Sequence, residues 1–155
     1  MLNVKKIKDI REDHDITQQK MADILGVKRS TYSLWEIGIS TIPLKNLCDF
    51  VDYFEISLDY ALGLHKNRST STCQKGMDFK VLGENIKRMR IEKGLSQMDV
   101  AKSLGVSQAC IVRYEKGIIC ISINNLYALS KIFKVSFTTL CGKEIRHDEK
   151  ILQEV

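Results

Sequence analysis

Apolar residues recur along the chain at helical spacing, most clearly in its second half. Leu82, Ile86 and Met89 fall on one helical face, and Lys93-Gly94 ends that helix. Ser96 is placed to cap a second helix, which runs to about Leu104 and turns Val100 and Leu104 inward. Gly105 then permits the positive φ of a tight turn. Ser107 caps a third helix through Glu115, with Ile111 and Tyr114 inward, and Gly117 stops it. A fourth helix, from about 122 to 133, uses Leu126, Leu129 and Ile132. A short fifth begins at Ser136 and ends at Cys141-Gly142. The pattern predicts an all-α unit of five helices.

The first half repeats this plan. A shift of 79 positions lays residues 1–63 on 80–142 without a gap, and 17 positions are identical. Ile7/Ile86, Arg11/Arg90, Gln18/Gln97, Ala22/Ala101, Glu36/Glu115 and Gly38/Gly117 are among them. A solenoid unit spans only about 20–50 residues, so this period predicts two complete domains. We place them at 1–64 and 79–142, with a linker at 65–78 and a tail at 143–155. The linker reads HKNRSTSTCQKGMD, polar and rich in Ser and Thr, the composition of a flexible connector. In the first domain Thr17 caps helix two, Pro43 sits near the start of helix four and Ser57 caps helix five. Lys28 stands where Ser107 caps in the second domain, so the third helix of domain 1 begins less well.

Helix, glycine turn, helix is the pattern that lays its second helix in the DNA major groove. Thr-Gln-x-x-x-Ala-x-x-Leu-Gly-Val, followed by Lys-Arg-Ser-Thr-Tyr-Ser-x-Trp-Glu-x-Gly, resembles the phage-repressor (Cro/XRE) family of helix-turn-helix domains. The resemblance covers both domains and implies two tandem five-helix, lambda-repressor-like units. It further implies that Arg11/Glu36 and Arg90/Glu115 are ion pairs joining the first and third helices, and that Gln18 and Gln97 contact DNA backbone or bases. Gln18 and Gln97 also read as solvated residues of a first helical turn, and that alternative stays open here.

Sequence reading falls on the third helix, where exposed side chains reach base edges. In domain 2 the candidates are Ser107, Gln108, Ala109 and Arg113. Gln108 suits adenine, Ala109 a thymine methyl and Arg113 a guanine. Lys116, just past the helix, suits phosphate. Domain 1 offers Lys28, Arg29, Ser30 and Ser33. Leu34 stands at the position of Arg113 and cannot fork onto guanine. The two domains should therefore prefer different bases, unless domain 1 reads none.

Charge sharpens this division. The net charge is +5, but residues 1–64 carry eight Lys/Arg against ten Asp/Glu, while 79–142 carry ten against four. Domain 2 is the better candidate for a polyanion. The expected activity is that of a sequence-specific, double-stranded DNA-binding transcriptional regulator, most simply a repressor. Its partners would be DNA and, by the habit of the family, a second copy. The alternative makes domain 1 a dimerisation or protein-interaction module, of antitoxin type for example, while domain 2 alone holds DNA. The linker spans roughly 20 Å as a flexible chain. Half-sites lie about 34 Å apart, so joint binding is permitted without being dictated.

Other chemistry has little support. Cys48, Cys73, Cys110, Cys120 and Cys141 are scattered and read as buried, inert thiols. His14, His65 and His147 are isolated, so no metal or other cofactor is expected. No nucleophile elbow, phosphate-binding glycine loop or paired-carboxylate pocket is present, which argues against an enzyme. No run of eighteen apolar residues or secretion signal is visible, and the expected location is the cytoplasm, on the nucleoid.

Overall fold

The computed structural model describes residues 6–66, 68, 71–72, 78–142 and 144–145. The first repeat forms α1 (Lys6–Glu12), α2 (Gln18–Ile24), α3 (Arg29–Glu36), α4 (Leu44–Phe54) and α5 (Leu58–Ala61). The second forms α6 (Phe79–Glu92), α7 (Gln97–Leu104), α8 (Gln108–Glu115), α9 (Ile123–Phe133) and α10 (Phe137–Leu140). The described extended structure is one two-residue antiparallel pair, β1 (Ser71–Thr72) with β2 (Glu144–Ile145). It ties part of the 65–78 segment to the chain leaving α10, and nothing in the sequence pattern signals it. The rest of the tail, including Ile151, Leu152, Val155 and His147, lies outside the described residues, as does Cys73.

Helix starts follow local chemistry. The hydroxyls of Thr17, Ser57, Ser96, Ser107, Ser122 and Ser136 each accept a backbone N–H three residues on. Lys28 precedes α3 with no side-chain cap, as expected from its chemistry. A Lys28→Ser variant should therefore raise the stability of the first domain by about 1 kcal/mol, read from its thermal unfolding midpoint.

Each repeat wraps its helices around an apolar centre. In the first, Ile7, Met21, Ala22, Tyr32, Leu47 and Phe50 are fully buried. In the second, Ile86, Val100, Ala101, Ile111, Leu126 and Leu129 fill corresponding positions. The small Ala22 and Ala101 let helices two and three approach closely. Leu104 and Ile132, expected inward, are only half-buried. Among the cysteines, Cys48 and Cys141 are buried and Cys110 is half-buried, but Cys120 is exposed, on the open turn before α9.

One crossing is tighter in the second repeat. A Cβ on Gly83 of α6 would lie 2.5 Å from the carbonyl oxygens of both Tyr114 and Glu115. A Cβ on Gly117 would lie 2.7 Å from the Phe79 carbonyl oxygen. Glycines on both sides thus let α6 lie directly on the end of α8. Gly38, the counterpart of Gly117, would meet nothing within 4 Å.

Candidate nucleic-acid interface

The third helix of each repeat is fixed by a charged brace. Arg11 Nε and Nη2 donate to Glu36 at 2.6 and 3.0 Å, and Gln18 Nε2 donates to the same carboxylate at 2.8 Å. Arg11 Nη1 also donates to the Ile16 carbonyl at 2.6 Å. Arg90 repeats the arrangement on Glu115 at 2.5 and 3.2 Å, with Gln97 at 2.9 Å and the Leu95 carbonyl at 2.9 Å. The brace joins the first, second and third helices of each domain at one carboxylate. Gln18 and Gln97 are therefore half-buried and held, rather than loosely solvated.

Burial alone pushes the Glu36 carboxyl up, and this is the largest single effect on it. The hydrogen bonds from Arg11 and Gln18 and the Arg11 charge outweigh it and hold the group below its ordinary value of 4.5. As pH falls, the unfolded chain therefore takes up this proton first. The stability contributed by Glu36 is complete above 4.5 and is lost as pH drops through the folded value. The first domain should accordingly show a falling thermal midpoint below that pH. In Glu36→Gln the profile should be flatter there, from a lower starting stability.

With the brace in place, the outer face of α8 presents Ser107, Gln108, Ala109, Arg113 and Lys116, all exposed. The Ser107 oxygen is occupied by the Cys110 N–H at 3.2 Å. In the first repeat Lys28, Arg29 and Ser30 are exposed, and Ser33 is half-buried. Lys28, Arg29, Arg113 and Lys116 make no ion pair with any described residue. By contrast Lys8, Lys45 and Arg88 each meet a carboxylate one helical turn away. The cations at the third helices are thus uncommitted, as a phosphate or base contact requires.

The Ser96 cap of α7 is joined by a carboxylate. Ser96 and Asp99 close a reciprocal capping box, with the Ser96 N–H donating to Asp99 at 2.8 Å. The Ser96 hydroxyl and N–H hold the Asp99 carboxyl below its ordinary value. A carboxylate therefore sits where a phosphate would approach, whereas α2 carries Lys20 at that position.

Sequence reasoning also missed an apolar pair. Ile39 and Ile118 occupy equivalent positions just past the third helices and are 72% and 64% exposed. Their identity across the repeat was the available signal, since the turn gives them nothing to pack against. Leu34 is 39% exposed, so its apolar surface stands open on the outer face of α3. Among the described residues no group of three or more His, Cys, Asp or Glu is arranged to hold a metal ion. No described helix is long and apolar enough to cross a membrane.

The HTH_3 family model, helix-turn-helix, matches residues 7–60 and again 86–140. The chain belongs to this helix-turn-helix family. The uncharacterized HTH-type transcriptional regulator YqaE of Bacillus subtilis is 38% identical over 56 residues, covering 36% of this chain and 48% of the relative. The HTH-type transcriptional regulator AnsR of Bacillus subtilis is 30% identical over 70 residues, covering 45% and 60%. The biofilm regulator SinR, solved in complex with DNA, is 33% identical and covers 38% of this chain and 95% of its own, at a TM-score of 0.36. The chain spans about half the length of the curated relatives it matches. In this helix-turn-helix protein the family match occurs twice in tandem, with unlike residues on the outer faces of α3 and α8.

Proposed function

We propose that the protein is a sequence-specific, double-stranded DNA-binding transcriptional regulator that represses by occupying its site. The observation that carries this reading is the exposed, uncommitted set Gln108, Arg113 and Lys116 on a helix locked in place by the Arg90–Glu115–Gln97 brace. Family membership supports it. Gln108 and Arg113 offer the bidentate chemistry that distinguishes adenine and guanine in the major groove. Lys28 and Arg29 give the first domain a weaker footing on the same duplex. The action is binding rather than catalysis, in the cytoplasm and on the nucleoid where the duplex lies. Selection of bound sequences from random DNA would define the site. On it, Arg113→Ala should weaken specific binding by about 1–3 kcal/mol. Wild-type affinity should also fall steeply with salt. Unchanged affinity in the variant would remove Arg113 from the reading set.

A second reading has one observation in its favour. Leu34, Ile37 and Ile39 are 39%, 55% and 72% exposed on the first domain, an apolar strip suited to a protein partner. It makes the first domain a protein-binding module of antitoxin or regulator-binding type. Substituting Lys28 and Arg29 together by Ala in the full chain separates the two: a loss of DNA affinity favours reading by both domains.

A further inference from the structure

The two repeats touch through equivalent elements. Helices α5 and α10 occupy the same place in the repeat, 79 residues apart, and they pack on each other. Asp59 Oδ1 accepts the Phe137 N–H at 3.0 Å. Its Oδ2 accepts the Thr138 N–H at 2.9 Å and the Thr138 hydroxyl at 2.5 Å. Asp59 and Thr138 are each other's counterparts under the 79-residue shift. Contact between an element and its own counterpart is the arrangement expected of a two-fold pair, whereas head-to-tail stacking joins unlike patches. Burial agrees. The four residues of a helical turn point in all directions. Yet Leu58, Asp59 and Ala61 are buried in α5, and Phe137, Thr138 and Leu140 in α10. One side of each short helix is covered by its own domain and the other by its counterpart.

We propose that the chain is an internal pseudo-dimer and that the unlike pair Asp59/Thr138 makes the repeats choose each other over a second copy. In the observed pairing one carboxylate receives three donors, and Asp59 is only 7% exposed. Joining the first repeats of two chains would set Asp59 against Asp59 at the axis. Two buried carboxylates would then face each other without the hydroxyl donor, an uncompensated repulsion. Joining two second repeats would set Thr138 against Thr138 and leave the Phe137 and Thr138 N–H groups without their carboxylate. The like pairings are thus disfavoured by uncompensated charge or unpaired N–H groups, and specificity comes from that difference. The surface that a separate chain would need is filled from within.

Three full-length chains test this without DNA: wild type, Thr138→Asp, and the exchange Asp59→Thr/Thr138→Asp. Sedimentation should show a one-chain mass for wild type at micromolar concentration. X-ray scattering should show Thr138→Asp with a larger radius of gyration, its helical circular dichroism retained. The exchange should return the radius towards wild type, because the pseudo-symmetry brings the relocated carboxylate on α10 to the N–H groups of the α5 side. A two-chain wild type, an unchanged radius in Thr138→Asp, or an exchange no more compact than the single variant would each overturn the proposal. Added to the selected duplex, wild type should bind one chain per site, and two would count against it. Failure to hold any duplex would strike the DNA reading alone, since the scattering comparison needs none.

Discussion

An Arg11→Ala variant is expected to lose about 3–5 kcal/mol of stability in the first domain. The cause is the partner left behind. The Glu36 side chain has no exposed surface, and Arg11 supplies two of the three hydrogen bonds described on its carboxylate. Removing the guanidinium strands a buried charge that Gln18 alone does not satisfy. The Ile16 carbonyl loses its donor in the same step. Lysine would not rescue the variant fully, because a single ammonium cannot span the carboxylate as the planar fork does. The measurement is specific to this domain. The chain has one tryptophan, Trp35, and it sits in α3. Denaturant titration followed by its fluorescence therefore reports the first domain. A loss below about 1 kcal/mol, the range of exposed ion pairs, would show that the brace is dispensable.

Gly83→Ala should destabilise the second domain by about 3 kcal/mol, an effect at the upper end of ordinary overpacking. The new methyl would press on two backbone carbonyl oxygens, which cannot rotate away as a side chain can. Alanine gains about 1 kcal/mol of helix propensity over glycine, so the clash must exceed the net loss by that amount. The crowded crossing is the one that Arg90 and Glu115 also bridge, so α6 would lift from α8 and loosen it. Hydrogen exchange should show reduced protection along α6 and α8, while the Trp35 transition moves less. Exchange at wild-type rates would mean that α6 can shift without cost.

Local chemistry is legible in the sequence. The Ser and Thr caps need only one hydroxyl and a nearby N–H, so position along the chain announces them. The braces are legible through resemblance, since Arg11 and Glu36 are far apart in sequence and nothing local joins them. Gly83 is not legible, because a glycine inside a helix reads as a weak helix former until the facing carbonyls are known. The Asp59–Thr138 contact is hidden for a different reason. Unlike residues at equivalent positions read as drift, and only the placement of one repeat on the other shows them meeting. The capping box at α7 is legible in full, because Ser96-x-x-Asp99 ahead of an apolar run is the spacing of a reciprocal cap.

Under the proposed reading of DNA by both third helices, the contrast of Leu34 with Arg113 has a consequence for how a bound molecule sits. A reader made of two equal halves has no front or back on its site. With unequal halves, the site acquires an arrow. Turning that stretch of DNA end for end would turn the whole protein with it and exchange the flanks on which its acidic and basic domains lie.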